Sequence, residues 1–242
     1  MRALFVTEYS PFGTDFGAQQ RSYLLLKALE EIGKVDVLLL RNGRETTVRQ
    51  ATDQRLVADA TYEALPLGIH KYAPSATLTR MLSRWLDLRS YDVICGRYLE
   101  PISKLELPAG ASSVVDLDDI GYSYASNGTL VSRVKAAGGT LLRCRLERAA
   151  LRRFSRYWFV CERDRRRFPG LAGDILPNVP VGEALTGSCR SSGSTLLFVG
   201  ALWYAPNRQG IERFLASCWP RIRQAEPAAQ LRLVGAAPVA DR

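Results

Sequence analysis

The 242-residue chain has a single histidine, and its five cysteines (Cys95, Cys144, Cys161, Cys189 and Cys218) are odd in number and widely scattered, with no C-x-x-C pair. That shortage removes the usual ligand set of a structural zinc site and the paired cysteines of a disulfide framework, so the thiols are expected to be reduced and mostly buried. Long apolar runs are missing as well. None approaches the roughly 18–20 residues that a membrane-spanning helix needs, and the opening MRALFVTEYS places Glu8 too early for the apolar region of a secretory signal. The cytoplasm is therefore the expected compartment. Neither G-x-S-x-G nor G-x-x-x-x-G-K-[ST] occurs, which argues against a nucleophile-elbow hydrolase and a P-loop enzyme. No helix-turn-helix, zinc-finger or RNP-like pattern is present, so nucleic acid is not an expected partner. The lone His70, in PLGIH, has no identifiable catalytic partner.

What the chain does have is apolar content, 47%, and positive charge, with a formal net charge of +9 and a pI near 9.6. The first is enough for a substantial core. The second implies an anionic partner, and charge alone does not choose among nucleic acid, an acidic membrane surface and a phosphorylated small molecule.

The apolar residues recur in a strand, loop, helix rhythm. RALFVT is a strand candidate closed by EYSPFGTDFG, and AQQRSYLLLKALEEIG has helical spacing with Leu24, Leu25, Ala28, Leu29 and Ile32 as its buried stripe. Gly33 stands where a helix stops, and VDVLLL follows as a strand buried on both faces. This is the βαβ unit of a parallel sheet. Further on, Tyr62 to Leu67 is a short strand candidate, Ala76 to Leu88 a helix, Tyr91 to Cys95 a strand and Ser112 to Leu117 another. A long helix is expected from about Leu130 to Ser155, then the strand YWFVC at 157–161; the segment 45–60 reads equally as helix or loop. The Gly- and Ser-rich stretch from Val179 to Ser194 is expected to be a linker, after which TLLFVG, the helix RQGIERFLASCWPRIRQAEP and QLRLVG begin the rhythm again.

In open parallel sheets ligands bind at the carboxyl ends of strands, which singles out the loops 8–17, 95–101, 116–128 and 200–207. Gly13 and Gly17 precede a helix whose free amides and dipole favour a phosphate, although a turn alone also calls for glycine. Asp116, Asp118 and Asp119 gather three carboxylates at one strand end. D-x-D after a strand resembles the metal-diphosphate motif of GT-A glycosyltransferases. The same acids could instead orient an acceptor hydroxyl or stabilise a cationic transition state, or simply cap the next segment. Arg145, Arg148, Arg152 and Arg156 share one helix face opposite Leu142, Leu146 and Ala149; such a face is either solvated or rests on anionic lipid.

The order of segments as a whole is similar to a GT-B glycosyltransferase of the family 4 type. The resemblance is carried by FVTEYSPFGTDFGAQQRSYLLLKAL, YDVICGRYLEP, VVDLDDIGYSY, FVCERDRRRF, ILPNVPV and, most closely, FVGALWYAPNRQGIERFLASCWPRIRQAEPAAQLRLVG. It implies an α/β, GT-B-like fold: a complete N-terminal Rossmann-like domain with a parallel sheet, plus the first β-α-β unit of a second. Residues 1–178 would form the acceptor-binding domain, 179–194 the linker and 195–242 an incomplete donor-binding domain. It also implies transfer of a sugar, with retention, from a nucleotide-sugar to a hydroxyl of a glycan or lipid-linked acceptor in polysaccharide biosynthesis. On that basis Gly13, Gly17, Gly200 and Asn207 are assigned to the donor, Arg97 and Tyr98 to the acceptor side, and Asp118 and Asp119 to catalysis. No metal and no cofactor other than the nucleotide-sugar co-substrate is expected; the basic helix face leaves open a peripheral contact with the inner face of an anionic membrane, behind the solvated reading. The family's E-x7-E region and nucleotide-gripping basic residues have no counterpart before Arg242, so this chain alone is expected to show little or no activity. A non-catalytic glycan- or partner-binding module and a metal-dependent GT-A enzyme using Asp116 and Asp118 are the alternatives.

Overall fold

The computed structural model describes residues 1–51, 53, 55–63, 71–118, 145–182 and 193–235. The chain divides into two compact units, Met1–Val181 and Gly182–Arg242. Asp119, His70, the start of the long helix expected from Leu130 and most of the expected linker lie outside the described residues.

The first unit is built on strands β1 (Arg2–Thr7), β2 (Lys34–Gly43), β3 (Thr47–Arg49), β4 (Leu56–Glu63), β5 (Val93–Arg97), β6 (Ser113–Leu117), β7 (Arg156–Phe159) and β8 (Gly173–Ile175). They form one sheet in the order β3-β4-β2-β1-β5-β6-β7-β8. Every pairing is parallel except β3 with β4. The chain builds outward from β1 on one side and then returns to β5 on the other, so the topological switch point lies between the carboxyl ends of β1 and β5.

Both faces of the central strands are covered, which is why β1 and β2 read as unbroken apolar runs. Leu4, Val6, Leu38, Leu40, Ile94, Val115 and Leu117 share one core with Leu78, Leu82, Ile102, Leu105 and Leu151. These come from α2 (Ala76–Leu82), α3 (Leu99–Ser103) with the residues after it, and the helical residues 145–151, here α4. On the opposite face Phe5, Val37 and Cys95 pack with Leu25, Leu26 and Leu29 of α1 (Gly17–Glu30). Three such side chains stabilise the docked helix by about 1.5–3 kcal/mol each before entropy is counted.

Several expectations shift. The buried stripe of α1 is Arg21, Ser22, Leu25, Leu26 and Leu29, while Ala28 and Ile32 are exposed. Both stripes satisfy helical spacing, and the observed one carries two polar residues onto the sheet because partners wait there. Gly33 is not a left-handed stop: a Cβ at that position would lie 2.2 Å from the Met1 carbonyl oxygen, so it permits a close backbone approach. α2 ends at Leu82; Trp85 and Leu86 turn back onto the Leu82 carbonyl, and Asp87 caps a short 3₁₀ turn at Leu88–Ser90. The ambiguous segment 45–60 supplies β3 and most of β4. The buried residues of α4 and its end are Glu147, Ala150, Leu151 and Phe154, with Leu146 half-buried against the same core, whereas Ala149 and Arg145, Arg148, Arg152 and Arg156 are exposed. α5 (Glu162–Arg166) and β8 are additional elements.

The second unit pairs β9 (Thr195–Val199) in parallel with β10 (Gln230–Val234). Between them the expected single helix is two: α6 (Ala205–Ser217), with Pro206 in its first turn, and α7 (Trp219–Ala225), broken at Cys218 ahead of Pro220. Among the described residues no helix is long and apolar enough to cross a membrane.

Candidate functional site

Arg21 lies on the buried stripe of α1 one turn before Leu25, which aims its guanidinium across the carboxyl ends of the strands. Nε donates to Asp116 Oδ2 at 2.9 Å and Nη2 to Asp116 Oδ1 at 2.6 Å. The remaining donors reach the carbonyls of Leu176 and Pro177 and the side-chain oxygen of Asn178. Asn178 Nδ2 donates onward to Asp118 Oδ1 at 3.1 Å, and Asp118 Oδ2 accepts from Arg97 Nη2 at 2.7 Å. Arg97 Nη1 stands 3.2 Å from Asp116 Oδ2. The five side chains close a ring of two guanidinium groups, two carboxylates and an amide. Burial opposes the Arg21 charge, but its hydrogen bonds to Asp116 and the charges of Asp116 and Asp118 outweigh that, and its pKa is raised.

Arg97 is fully buried, and its Nε and Nη1 have no hydrogen-bond acceptor among the described residues. The Tyr98 ring lies against the guanidinium, 3.9 Å from the centroid, and the Tyr98 hydroxyl accepts from Nη2 at 3.0 Å. Tyr98 has φ 69 and ψ 147, a conformation that glycine favours and that costs a non-glycine residue on the order of 1–3 kcal/mol. It is the only non-glycine residue of positive φ among those described. The kink drops the chain from β5 directly into α3, and Gly96 lets α3 close down: a Cβ there would stand 2.6 Å from Ile102 Cβ.

A cavity of about 260 Å³ opens at the switch point, walled by Glu8, Tyr9, Tyr62, Lys71, Tyr98 and Glu100, among others. Lys71 Nζ pairs with Glu100 Oε2 at 3.1 Å, and the Tyr72 hydroxyl donates to Glu147 Oε1 at 2.9 Å. Burial and the neighbouring Glu100 raise the Glu8 pKa, which Arg97 only partly offsets. Burial, with Glu100 and Glu8 beside it, also raises the Tyr62 phenol, so the wall offers neutral hydroxyls.

A second cavity, of about 430 Å³, lies at the amino end of α1 between Gly17, Gln20, Arg21, Asp118, Asn178 and Pro180. Phe16 caps the helix without a side-chain hydrogen bond, and a Cβ on Gly17 would meet nothing within 4 Å. A helix amino terminus open in this way attracts anions.

Of the residues singled out by sequence, Gly17, Arg97, Tyr98 and Asp118 come together at this sheet end. Gly13, in the loop before α1, faces the Gln19 side-chain amide. Gly200 and Asn207 belong to the second unit, where Asn207 Nδ2 donates to the Ala201 carbonyl at 3.1 Å and sits 3.0 Å from where a Gly200 Cβ would be. At the D-x-D pair both oxygens of Asp116 accept from Arg21, and a cation bound there would face two guanidinium groups. Among the described residues no group of three His, Cys, Asp or Glu side chains could hold a metal ion. Sequence reasoning missed Arg21, Asn178 and Glu8. Arg21 was detectable as a charge in register with Leu25, and Glu8 as the acid directly after the first strand; Asn178 carried no signal of its role.

No protein-family model matches the chain, and no curated protein matches it in sequence. By fold the whole chain is similar to the solved structure "Trehalose-6-phosphate from E. coli bound with UDP-2-fluoro glucose", with TM-score 0.54 and 11% identity over 100% of this chain and 66% of that one. The chain thus spans just under two thirds of that structure's length. A trehalose-6-phosphate synthase structure determined for bisubstrate glycomimetics gives TM-score 0.46 at 11% identity, covering 98% and 73% of the two chains. A sucrose-phosphate synthase from Thermosynechococcus elongatus gives 0.31 at 12% identity, covering 89% and 98%. Scores below 0.5 add no argument. The first match establishes the α/β, GT-B-like fold, and at 11% identity it establishes the fold alone.

Proposed function

We propose that the chain is a glycosyltransferase that moves a sugar from a nucleotide-sugar to an acceptor hydroxyl. The observation that carries this reading is the match of the entire chain to a GT-B-like fold solved with a UDP-sugar analogue. A crevice at the switch point, where open α/β sheets bind ligands, supports it.

In this reading the switch-point cavity holds the acceptor. The open amino end of α1 at Gly17 supplies amides and a positive dipole for donor phosphate oxygens, and Gly200 and Asn207 shape a donor-side loop in the second unit. Asp118 is held by Arg97 and Asn178. So fixed, its carboxylate can take a hydrogen bond from the acceptor hydroxyl and stabilise positive charge that develops on the sugar as the diphosphate leaves. Asp119 is its companion in the same proposal.

The test is a thermal melt of the 242-residue chain with UDP-, GDP- and ADP-sugars, each with and without Mn²⁺, followed by transfer of labelled sugar to a glycan panel. Binding to the folded state raises stability by about 2.7 kcal/mol at a hundredfold excess over Kd. One nucleotide is expected to raise the melting temperature without metal. No shift with any donor would overturn the reading, and a shift without turnover would make the chain a binding module.

A further inference from the structure

Among the described residues the wall of the switch-point cavity carries three carboxylates, Glu8, Glu100 and Glu147, and one ammonium, Lys71, with the buried Lys104 behind it, over the Tyr62 ring and within reach of the Glu100 charge. Glu100 is engaged by Lys71 and Glu147 by the Tyr72 hydroxyl. Glu8 is different: among the described residues its carboxylate has no hydrogen bond or ion pair, although it is half-buried at the end of β1. Arg97 lies close enough to be felt by Glu8, but its charge is committed to Asp116 and Asp118. Among the described residues no arginine lines the cavity. Such a wall repels a phosphate and attracts a cation, while its tyrosines offer hydroxyls and apolar ring faces suited to a sugar ring.

Resting on the reading of this cavity as the acceptor site, we propose that it takes an unphosphorylated, amine-bearing sugar or cyclitol, with the ligand's ammonium against Glu8. The uncompensated carboxylate is the specificity-determining group, because a ligand cation supplies the charge that the protein withholds. A phosphorylated acceptor would place a dianion among three carboxylates. The raised pKa of Glu8 fits this picture: an ammonium bound there favours the ionised carboxylate, so binding releases protons to buffer below neutral pH.

The experiment is a calorimetric titration of the full chain with D-glucosamine and D-galactosamine, with the parent hexoses, and with the amino sugars' 6-phosphates. At least one amino sugar is expected to bind about tenfold or more tightly than its parent hexose, and its 6-phosphate at least about tenfold more weakly than itself. Glu8→Gln should reduce the amino sugar to the level of the hexose, abolishing the preference between them. Glu100→Gln should narrow the gap between amino sugar and 6-phosphate. Tighter binding of the phosphorylated form, an amine preference that survives in Glu8→Gln, or no binding of any amino sugar overturns the proposal. Donor melts on the same preparations separate the two ideas. A nucleotide-sugar shift without amine preference removes this inference alone, whereas amine preference without any donor shift removes the transfer reading alone.

Discussion

Arg21 on α1 and Asp116 on β6, 95 residues apart in sequence, are joined by two hydrogen bonds of 2.6 and 2.9 Å, with side chains only 5% and 1% exposed. The pair fixes the helix to the sheet and is also the support of Asp118 through Arg97 and Asn178. Breaking a buried pair of this kind costs about 3–5 kcal/mol, because the surviving charges stay buried. Asp116→Asn leaves two guanidinium groups short of a carboxylate and is expected to lose stability in that range in urea unfolding. In a double-mutant cycle with Arg21→Met the coupling should exceed about 1 kcal/mol.

Gly33 and Gly17 should respond oppositely to substitution. Gly33→Ala drives a Cβ to within 2.2 Å of a backbone oxygen and is expected to cost at least about 1–3 kcal/mol. Gly17→Ala meets open space, so its melting temperature should stay the same or rise slightly, the helix gaining up to about 1 kcal/mol. If the donor phosphates sit at α1, the same Gly17→Ala protein binds nucleotide-sugar more weakly while remaining fully folded. Equal destabilisation by the two substitutions would refute the geometry.

The fold was legible where burial on both faces writes a continuous apolar run. RALFVT and VDVLLL are strands because every residue between Ala3 and Val6, and between Val37 and Leu40, meets a core. The site was half legible. The strand-end rule led to Asp118, Arg97 and Tyr98, but their roles depend on partners brought from α1 and from residues 176–178, and no local pattern records such long-range pairing. The stripe of α1 was misjudged for a related reason. Hydropathy ranks Ala28 above Arg21, whereas Asp116 makes burial of Arg21 favourable.

Glu8 sets a pH dependence. Its folded-state pKa is raised by burial and by Glu100, so the folded chain holds this proton more tightly than the unfolded chain does. The associated stability is present below the ordinary glutamate range and is lost as pH rises through the raised value. Glu8→Gln is therefore expected to melt higher than the parent chain at pH 7, with the difference vanishing as pH falls towards 4. A stabilisation independent of pH would assign the effect to something other than ionisation.

Thiol reactivity should separate two of the cysteines. Burial pushes the Cys95 thiol up to about 12, and it is walled in by α1, whereas Cys218 is exposed at the break between α6 and α7. Mass spectrometry after iodoacetamide is expected to find Cys218 labelled within minutes in buffer and Cys95 labelled only in denaturant.

Asp118→Asn keeps the shape of the side chain and removes its charge. Under the transfer proposal it should lower kcat by about a hundredfold or more with little change in donor affinity. Unchanged turnover would return Asp118 to a purely architectural role.

The partners of Arg21 lie far downstream, Asp116 at 95 residues and Asn178 at 157. During synthesis, α1 leaves the ribosome with a guanidinium on its apolar face and no carboxylate to receive it, and burying that charge alone is prohibitive. Closing loops of such length is also slow. The helix is therefore expected to dock firmly only after β6 has emerged. A nascent chain arrested before residue 116 is expected to hold its amino-terminal strands as a sheet with the face under α1 still wet, the stage at which a chaperone would find most to bind.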